Sequence, residues 1–131
     1  MTYNKINNLL GWLAFLIATT VYILTLEPTV SYWDAGEFIS AAYKLQIVHQ
    51  PGAPLFLIVG KVLSLFANNP TSVAYFVNLS SALCSGLTIL FLFWTITALG
   101  KKAVLKGNQT PDTYQLISIM GAGLVGALAY A

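Results

Sequence analysis

The amino-acid sequence predicts an all-α, polytopic membrane protein, the class that its composition indicates. Of its 131 residues, 57% are hydrophobic and only 8% are charged, and the mean hydropathy is +0.75. A typical soluble domain has about 25% charged residues, so this chain carries too little charge to cover a surface that faces water. Lipid must therefore replace water over much of the surface.

The charged residues exclude one class of partner and leave the bilayer as the expected one. Six lysines stand against four acidic residues, so the net charge is +2, and no clustered basic face suited to nucleic acid is visible.

The single cysteine, Cys84, lies inside an apolar run. It has no second cysteine with which to form a disulfide, and it is predicted to be a small buried apolar residue.

Three apolar runs predict three membrane spans. Residues 9–26 are 18 residues without a charge, which as a helix is about 27 Å, close to the thickness of the hydrocarbon core. A signal peptide is the alternative, but the run is long for one and no small-residue cleavage site follows it. Residues 73–99 are 27 uncharged residues, enough to span with tilt. The sequence stops inside the third run, 114–131, so it is predicted to be the N-terminal membrane region of a longer protein.

The lysines predict the orientation of these spans. Four of them flank the first two runs on what would be one side of the membrane: Lys5, Lys101, Lys102 and Lys106. The positive-inside rule places that side in the cytoplasm. Residues 27–72 then face the periplasm of a bacterial inner membrane or the lumen of the endoplasmic reticulum. Lys44 and Lys61 lie in this outer loop and weaken the bias.

The outer loop is predicted to hold two helices. Over 34–48, apolar residues at three- and four-residue spacing share one face: Phe38, Ala41, Ala42, Leu45 and Val48. Polar side chains fall on the other side, which is typical of a helix lying along the membrane surface. Pro51 and Pro54 interrupt the pattern. The apolar stretch 54–67 follows, and it is too short to span, so it is predicted to be interfacial or re-entrant.

The acidic residues concentrate in this loop, which therefore holds the candidate catalytic residues. Glu27, Asp34 and Glu37 lie within eleven positions, and His49 closes the first predicted helix. Asp34 and Glu37 are three residues apart, so they are neighbours on a helix. One interpretation is a general base whose pKa partial desolvation raises. The other is a capping box, in which each side chain satisfies a free backbone N–H.

Three further residues of the loop have both a functional and a structural interpretation. Trp33 belongs either to the aromatic belt at the headgroups or to a surface that stacks on sugar rings. His49 is a proton carrier or phosphate partner, or it caps the end of the helix. Lys44, two helical turns from Glu37, pairs with the acid, binds a phosphate, or is simply solvated.

Two motifs in the loop resemble a known family. The W-D-x-G-E-F pattern of residues 33–38 and the H-x-P-G-A-P pattern of residues 49–54 are similar to the start of the family called domain of unknown function 2723, which includes transmembrane protein 260-like protein O-mannosyltransferases. The likeness covers about residues 9–131. Members often read H-P-P-G, and here Gln50 replaces the first proline.

The resemblance implies a GT-C glycosyltransferase fold whose first outer loop carries two juxtamembrane helices and a catalytic acid. It implies a polyprenyl- or dolichyl-phosphate sugar, such as mannose, as donor and a Ser/Thr hydroxyl of an exported protein as acceptor. Asp34 would be the general base, with Glu37 positioning it or contacting the sugar. Trp33, Lys44 and His49 would bind substrate.

The cofactor and the function class have alternatives. Some enzymes of this fold class need a divalent cation and others do not, and two acids three residues apart are a weak metal signal, so no metal ligands are predicted. A membrane transporter is the main alternative function, although the spans lack the charges that mark transport sites. A non-catalytic assembly subunit is the other. The 131 residues alone are expected to be inactive, because a GT-C site lies between several spans.

Overall fold

A computed structural model describes residues 2–31, 33–105 and 110–131, and the regular elements in these ranges are all helical. In chain order they are α1 (Tyr3–Leu24), α2 (Ala35–Lys44), α3 (Pro54–Ser64), α4 (Val73–Val104) and α5 (Thr113–Tyr130), with a 3₁₀ turn, Pro70–Ser72, before α4. Helices α1, α4 and α5 are long and apolar enough to cross a membrane. The prediction of an all-α chain with three such helices is confirmed. Lys106, one of the lysines that predict the orientation, falls outside the described residues.

The two long helices extend beyond the apolar runs that predicted them. Helix α1 begins at Tyr3, six residues before the run, and α4 continues to Val104 through two lysines. Charged or polar side chains do not end a helix, and Lys101 and Lys102 suit a helix C-terminus because its exposed carbonyls carry partial negative charge.

Helix α2 is shorter than the predicted 34–48. Leu45 adopts a left-handed conformation with φ 53° and ψ 48°. The Leu45 N–H donates to the Ala42 carbonyl at 3.4 Å, and the Gln46 N–H donates to the Ala41 carbonyl at 2.9 Å, which is the Schellman arrangement that ends a helix. Val48 is nevertheless buried, as its place in the apolar pattern predicted.

Helix α3 also ends before the predicted boundary, at Ser64 rather than residue 67. The next three N–H groups, those of Leu65, Phe66 and Ala67, each donate to the carbonyl three residues earlier, at 3.1–3.3 Å. The helix thus tightens into 3₁₀-type turns before the chain leaves it.

The chain divides into two compact units. Unit 1 comprises the described residues of 1–22 and 84–131, and unit 2 comprises those of 23–83. In unit 1 the core contains Phe93 and Ile89 of α4. Small residues allow close packing here, since a Cβ added at Gly123 would lie 2.9 Å from Phe93 Cε2.

The prediction that Cys84 is buried is wrong, because this residue is exposed. Gly86 of the same helix is buried in unit 1. Positions two residues apart on an α-helix differ by about 200°. Cys84 therefore lies on nearly the opposite side of α4.

The core of unit 2 packs α2 against α3 and the first turns of α4. Its buried apolar residues are Ile39, Ala42, Val73, Ala74 and Val77. Gly60 of α3 is essential to the close approach, because an added Cβ would lie 2.9 Å from the Ala42 Cβ. Glu37 and Lys44 of α2 are exposed while Ile39, Ala41 and Ala42 are buried, so the predicted amphipathic character of this helix is confirmed.

Candidate functional site

Asp34 immediately precedes α2 and has a carboxylate without a structural task there. It is the N-cap residue, yet its side chain makes no capping hydrogen bond, and it is exposed. The capping-box interpretation of Asp34 and Glu37 is therefore wrong.

The carboxylate of Glu37 binds His49 instead of the start of its own helix. Oε1 accepts the His49 backbone N–H at 2.8 Å, and Oε2 lies 2.9 Å from the ring Nδ1. His49 lies five residues beyond the last residue of α2, so it does not cap that helix, and this interpretation is also wrong. The structure brings Asp34, Glu37 and His49 together. Each offers one side-chain atom that could ligate a metal, and these three atoms lie within 4.8 Å of one another.

The connection between α2 and α3 turns back so that His49 reaches the first turn of α2. The left-handed Leu45 starts the reversal, and buried Val48 anchors it. The Gly52 N–H then donates to the His49 carbonyl at 2.9 Å, closing a tight turn in which Gly52 has φ 76°. Glycine adopts this φ without steric cost. The H-x-P-G motif is therefore the turn that presents the histidine.

The contacts between Glu37 and His49 shift the pKa values of both side chains. The backbone N–H of His49 is the largest cause of the lowered pKa of Glu37, and the ring of His49 is the next. The hydrogen bond and the charge of Glu37 raise the pKa of His49, with a further contribution from the charge of Asp34. The side chain of His49 is 51% exposed and that of Glu37 is 44% exposed, so water screens much of this interaction.

Among the residues that the structure describes, Asp34, Glu37 and His49 form the group that could hold a metal ion. Carboxylate and imidazole are ligands that several divalent cations accept. The Nδ1 atom of His49 is already committed to Glu37, and it would have to lose that hydrogen bond to ligate through this nitrogen. We assign no metal to the site, and the absence of metal ligands stays a prediction.

The remaining acid of the loop lies in a separate network. The Glu27 carboxylate accepts the Thr29 N–H at 3.2 Å and the Thr29 hydroxyl at 2.6 Å. The side-chain amide of Asn78 donates to the backbone carbonyls of Glu27 and Thr29 at 2.9 and 3.0 Å. Sequence reasoning missed Asn78, because its partners lie about fifty residues away in the chain.

The other predicted site residues differ in their surroundings. Trp33 is 95% exposed and has φ 44°, a backbone conformation that costs a non-glycine residue roughly 1–3 kcal/mol. Lys44 is exposed in the last turn of α2, and among the described residues it pairs with no acid. Phe38 was not predicted as a site residue, yet its ring packs edge-on against the His49 ring at 5.7 Å.

A cavity of about 400 Å³ opens elsewhere in unit 2. Its walls include Ile39, Ser40 and Tyr43 of α2, and neither Asp34, Glu37 nor His49 lines it. This cavity and the titratable side chains therefore do not coincide. We place the candidate site at the titratable side chains, because they carry the groups that can exchange a proton.

The fold and the candidate site together define a class of protein. The chain is an integral membrane protein whose loop between two potential spans carries an exposed carboxylate beside a carboxylate–imidazole pair. Residues 34–131 match the family described as protein O-mannosyl-transferase TMEM260 N-terminal domain, and the chain belongs to this family.

Two curated relatives carry the same family name. The chain is 34% identical over 85 residues to the protein O-mannosyl-transferase tmem260 of Dictyostelium discoideum, covering 64% of this chain and 10% of that protein. It is 39% identical over 83 residues to the protein O-mannosyl-transferase TMEM260 of Mus musculus, covering 63% of this chain and 12% of that protein. The chain thus spans about a tenth of the length of these relatives. No solved structure matches it.

Proposed function

We propose that this chain is the N-terminal membrane region of a GT-C glycosyltransferase. The enzyme transfers a sugar, which we propose to be mannose, from a polyprenyl- or dolichyl-phosphate donor to a Ser/Thr hydroxyl of an exported protein. Membership of the TMEM260 family supports the reaction class, since both relatives are named O-mannosyl-transferases. The donor and acceptor are proposals for this chain.

The uncommitted carboxylate of Asp34 is the observation that carries the proposal. A hydroxyl is a poor nucleophile until its proton has an acceptor. Asp34 accepts that proton while the hydroxyl oxygen forms a bond to the anomeric carbon of the sugar. The bond from that carbon to the lipid phosphate breaks on the opposite face, and the lipid phosphate leaves with the electron pair. The configuration at the anomeric carbon is therefore inverted.

The other predicted residues surround this step. Trp33, whose ring is almost fully exposed next to Asp34, offers a surface on which a sugar ring can stack. Lys44 supplies positive charge for the phosphate, and His49 contacts the donor. Helix α3 presents exposed apolar side chains suited to the lipid tail, among them Leu55, Ile58 and Val62, and exposed Leu65 follows its end.

The test is transfer of labelled mannose from dolichyl-phosphate mannose to a Ser/Thr-containing acceptor peptide by the whole protein. Asp34→Asn is expected to lower kcat by roughly 10²–10⁴-fold, the usual contribution of general-base catalysis. Glu27→Gln is the matched control, because it removes a charge from the same loop but keeps an oxygen for Thr29. Near-normal kcat in Asp34→Asn would remove this residue from the role of base. If the unsubstituted protein transfers no mannose, and Asp34→Asn disrupts its complex with a partner protein, the chain would instead be part of an assembly subunit.

A further inference from the structure

We infer that Glu37 is a positioning residue for His49, and that it presents the free Nε2 atom of the ring to a hydroxyl of the sugar being transferred. The inference deepens the proposed function and rests on it for the identity of that sugar. It changes the predicted role of Glu37, which was to position Asp34 or to contact the sugar as part of the catalytic pair.

Both oxygens of the Glu37 carboxylate are occupied by one residue. Oε1 binds the His49 backbone N–H, and Oε2 binds the ring at Nδ1, at 2.8 and 2.9 Å. Two hydrogen bonds from the backbone and ring of His49 fix both the place and the rotation of the ring. Phe38 restrains it further by packing edge-on. Glu37 is therefore poorly placed to accept a proton from substrate.

This contact decides which ring nitrogen is free. A carboxylate oxygen only accepts, so Nδ1 carries the proton when the imidazole is neutral. Nε2 then has a lone pair, and it makes no hydrogen bond within the part of the chain that the structure describes. A carboxylate that selects the tautomer of a neighbouring histidine is a recurring way to orient it for chemistry.

The surrounding charge favours a neutral hydroxyl over a phosphate as the partner of Nε2. Asp34 and Glu37 both lie within 4.8 Å of a donor atom of His49, so even a charged imidazole leaves the three residues with a net negative charge. A phosphate would be repelled by this group. A sugar hydroxyl can donate to a neutral Nε2 or accept from a protonated one, so it fits either state of the ring. Exposed Trp33 beside Asp34 supplies an apolar face for the same sugar.

The test uses the fact that the chain contains a single histidine. Nitrogen-15 NMR of the full chain in lipid nanodiscs therefore gives one set of ring signals. We expect the neutral ring to be mainly the Nδ1–H tautomer. Glu37→Gln should give a mixture of tautomers, whereas Asp34→Asn, the matched control, should keep the original one. A dominant Nε2–H tautomer in the unsubstituted chain would overturn the inference.

The ligand is tested on the same sample with methyl α-mannopyranoside as the probe. Millimolar mannoside should shift the Nε2 signal, and the shift should weaken at least severalfold in Glu37→Gln. A shift with inorganic phosphate but not with mannoside would overturn the sugar assignment, as would broadening of the ring signals by stoichiometric Mn²⁺. These readouts need no transfer reaction. If the transfer assay fails but the NMR result is as expected, only the proposed function is contradicted. If transfer occurs but the NMR result is not as expected, only this inference is contradicted.

Discussion

Substitution of Gly60 by alanine tests whether α2 and α3 pack as closely as described. The added Cβ would lie 2.9 Å from the Ala42 Cβ and 3.5 Å from Val77 Cγ1. Carbon atoms attract best at about 3.5–4.0 Å, so the first contact is too short by roughly half an ångström or more. Both Cβ atoms are fixed to helix backbones, and Ala42 is fully buried. The strain can therefore be relieved only if α3 moves away from α2.

Two opposing free energies decide the result of Gly60→Ala. Overpacking a core costs about 1–3 kcal/mol, while replacing glycine by alanine inside a helix gains about 1 kcal/mol. We expect a net destabilisation of about 0–2 kcal/mol. Gly36→Ala is the control, because its Cβ would meet only the end of the Val30 side chain, at 3.4 Å. That variant should be neutral or more stable.

Thermal unfolding of the two variants in micelles, followed by circular dichroism, measures the difference. Gly60→Ala should melt below Gly36→Ala. It should also perturb the His49 ring signals, since α2 carries Glu37. Equal melting temperatures with unchanged ring signals would show that the two helices are not in such close contact.

Two further predictions concern the contacts of the loop. Asn78→Ala removes hydrogen bonds to the carbonyls of Glu27 and Thr29, each worth about 1 kcal/mol, so amide exchange around Thr29 should accelerate roughly 10- to 30-fold; an unchanged rate would contradict the contact. The Glu37–His49 contact should be strongest between pH 4.5 and 6.5, the ordinary pKa values of the two groups. Its contribution is lost as pH falls through the lowered pKa of Glu37, and the part that depends on the charge of the ring is lost as pH rises through the raised pKa of His49. His49 amide protection, corrected for intrinsic exchange, should be greatest in that interval, and protection that rises steadily with pH would be inconsistent with it.

The helices were largely predictable from the sequence because their signals are local. Long uncharged runs indicate α1, α4 and α5, and the apolar spacing places Ala41 and Ala42 on the buried face of α2, although Leu45, assigned to the same face, is exposed. The end of α2 was not predictable, because Leu45 is neither glycine nor asparagine and yet adopts the left-handed conformation. Residues of this kind rarely do so.

The residues of the candidate site could be named from the sequence, but the contacts among them could not. Composition and the W-D-x-G-E-F and H-x-P-G patterns identified Asp34, Glu37 and His49. The three-residue spacing favoured a capping box, which is a local contact, whereas Glu37 binds a residue twelve positions away. That contact depends on the reversal of the chain at Leu45 and Gly52, which no local periodicity encodes.

The proposed function requires that Asp34 face the outer side of the membrane. Single cysteines at Ser31 and Ala103, both exposed, can be introduced one at a time after Cys84→Ala and treated with a membrane-impermeant maleimide in sealed vesicles of known orientation. A cysteine at position 31 should be labelled only from the periplasmic or luminal side, and one at position 103 only from the cytoplasmic side. Labelling of position 31 from the cytoplasm would contradict the proposed reaction, because the carboxylate and an exported acceptor would lie on opposite sides of the bilayer.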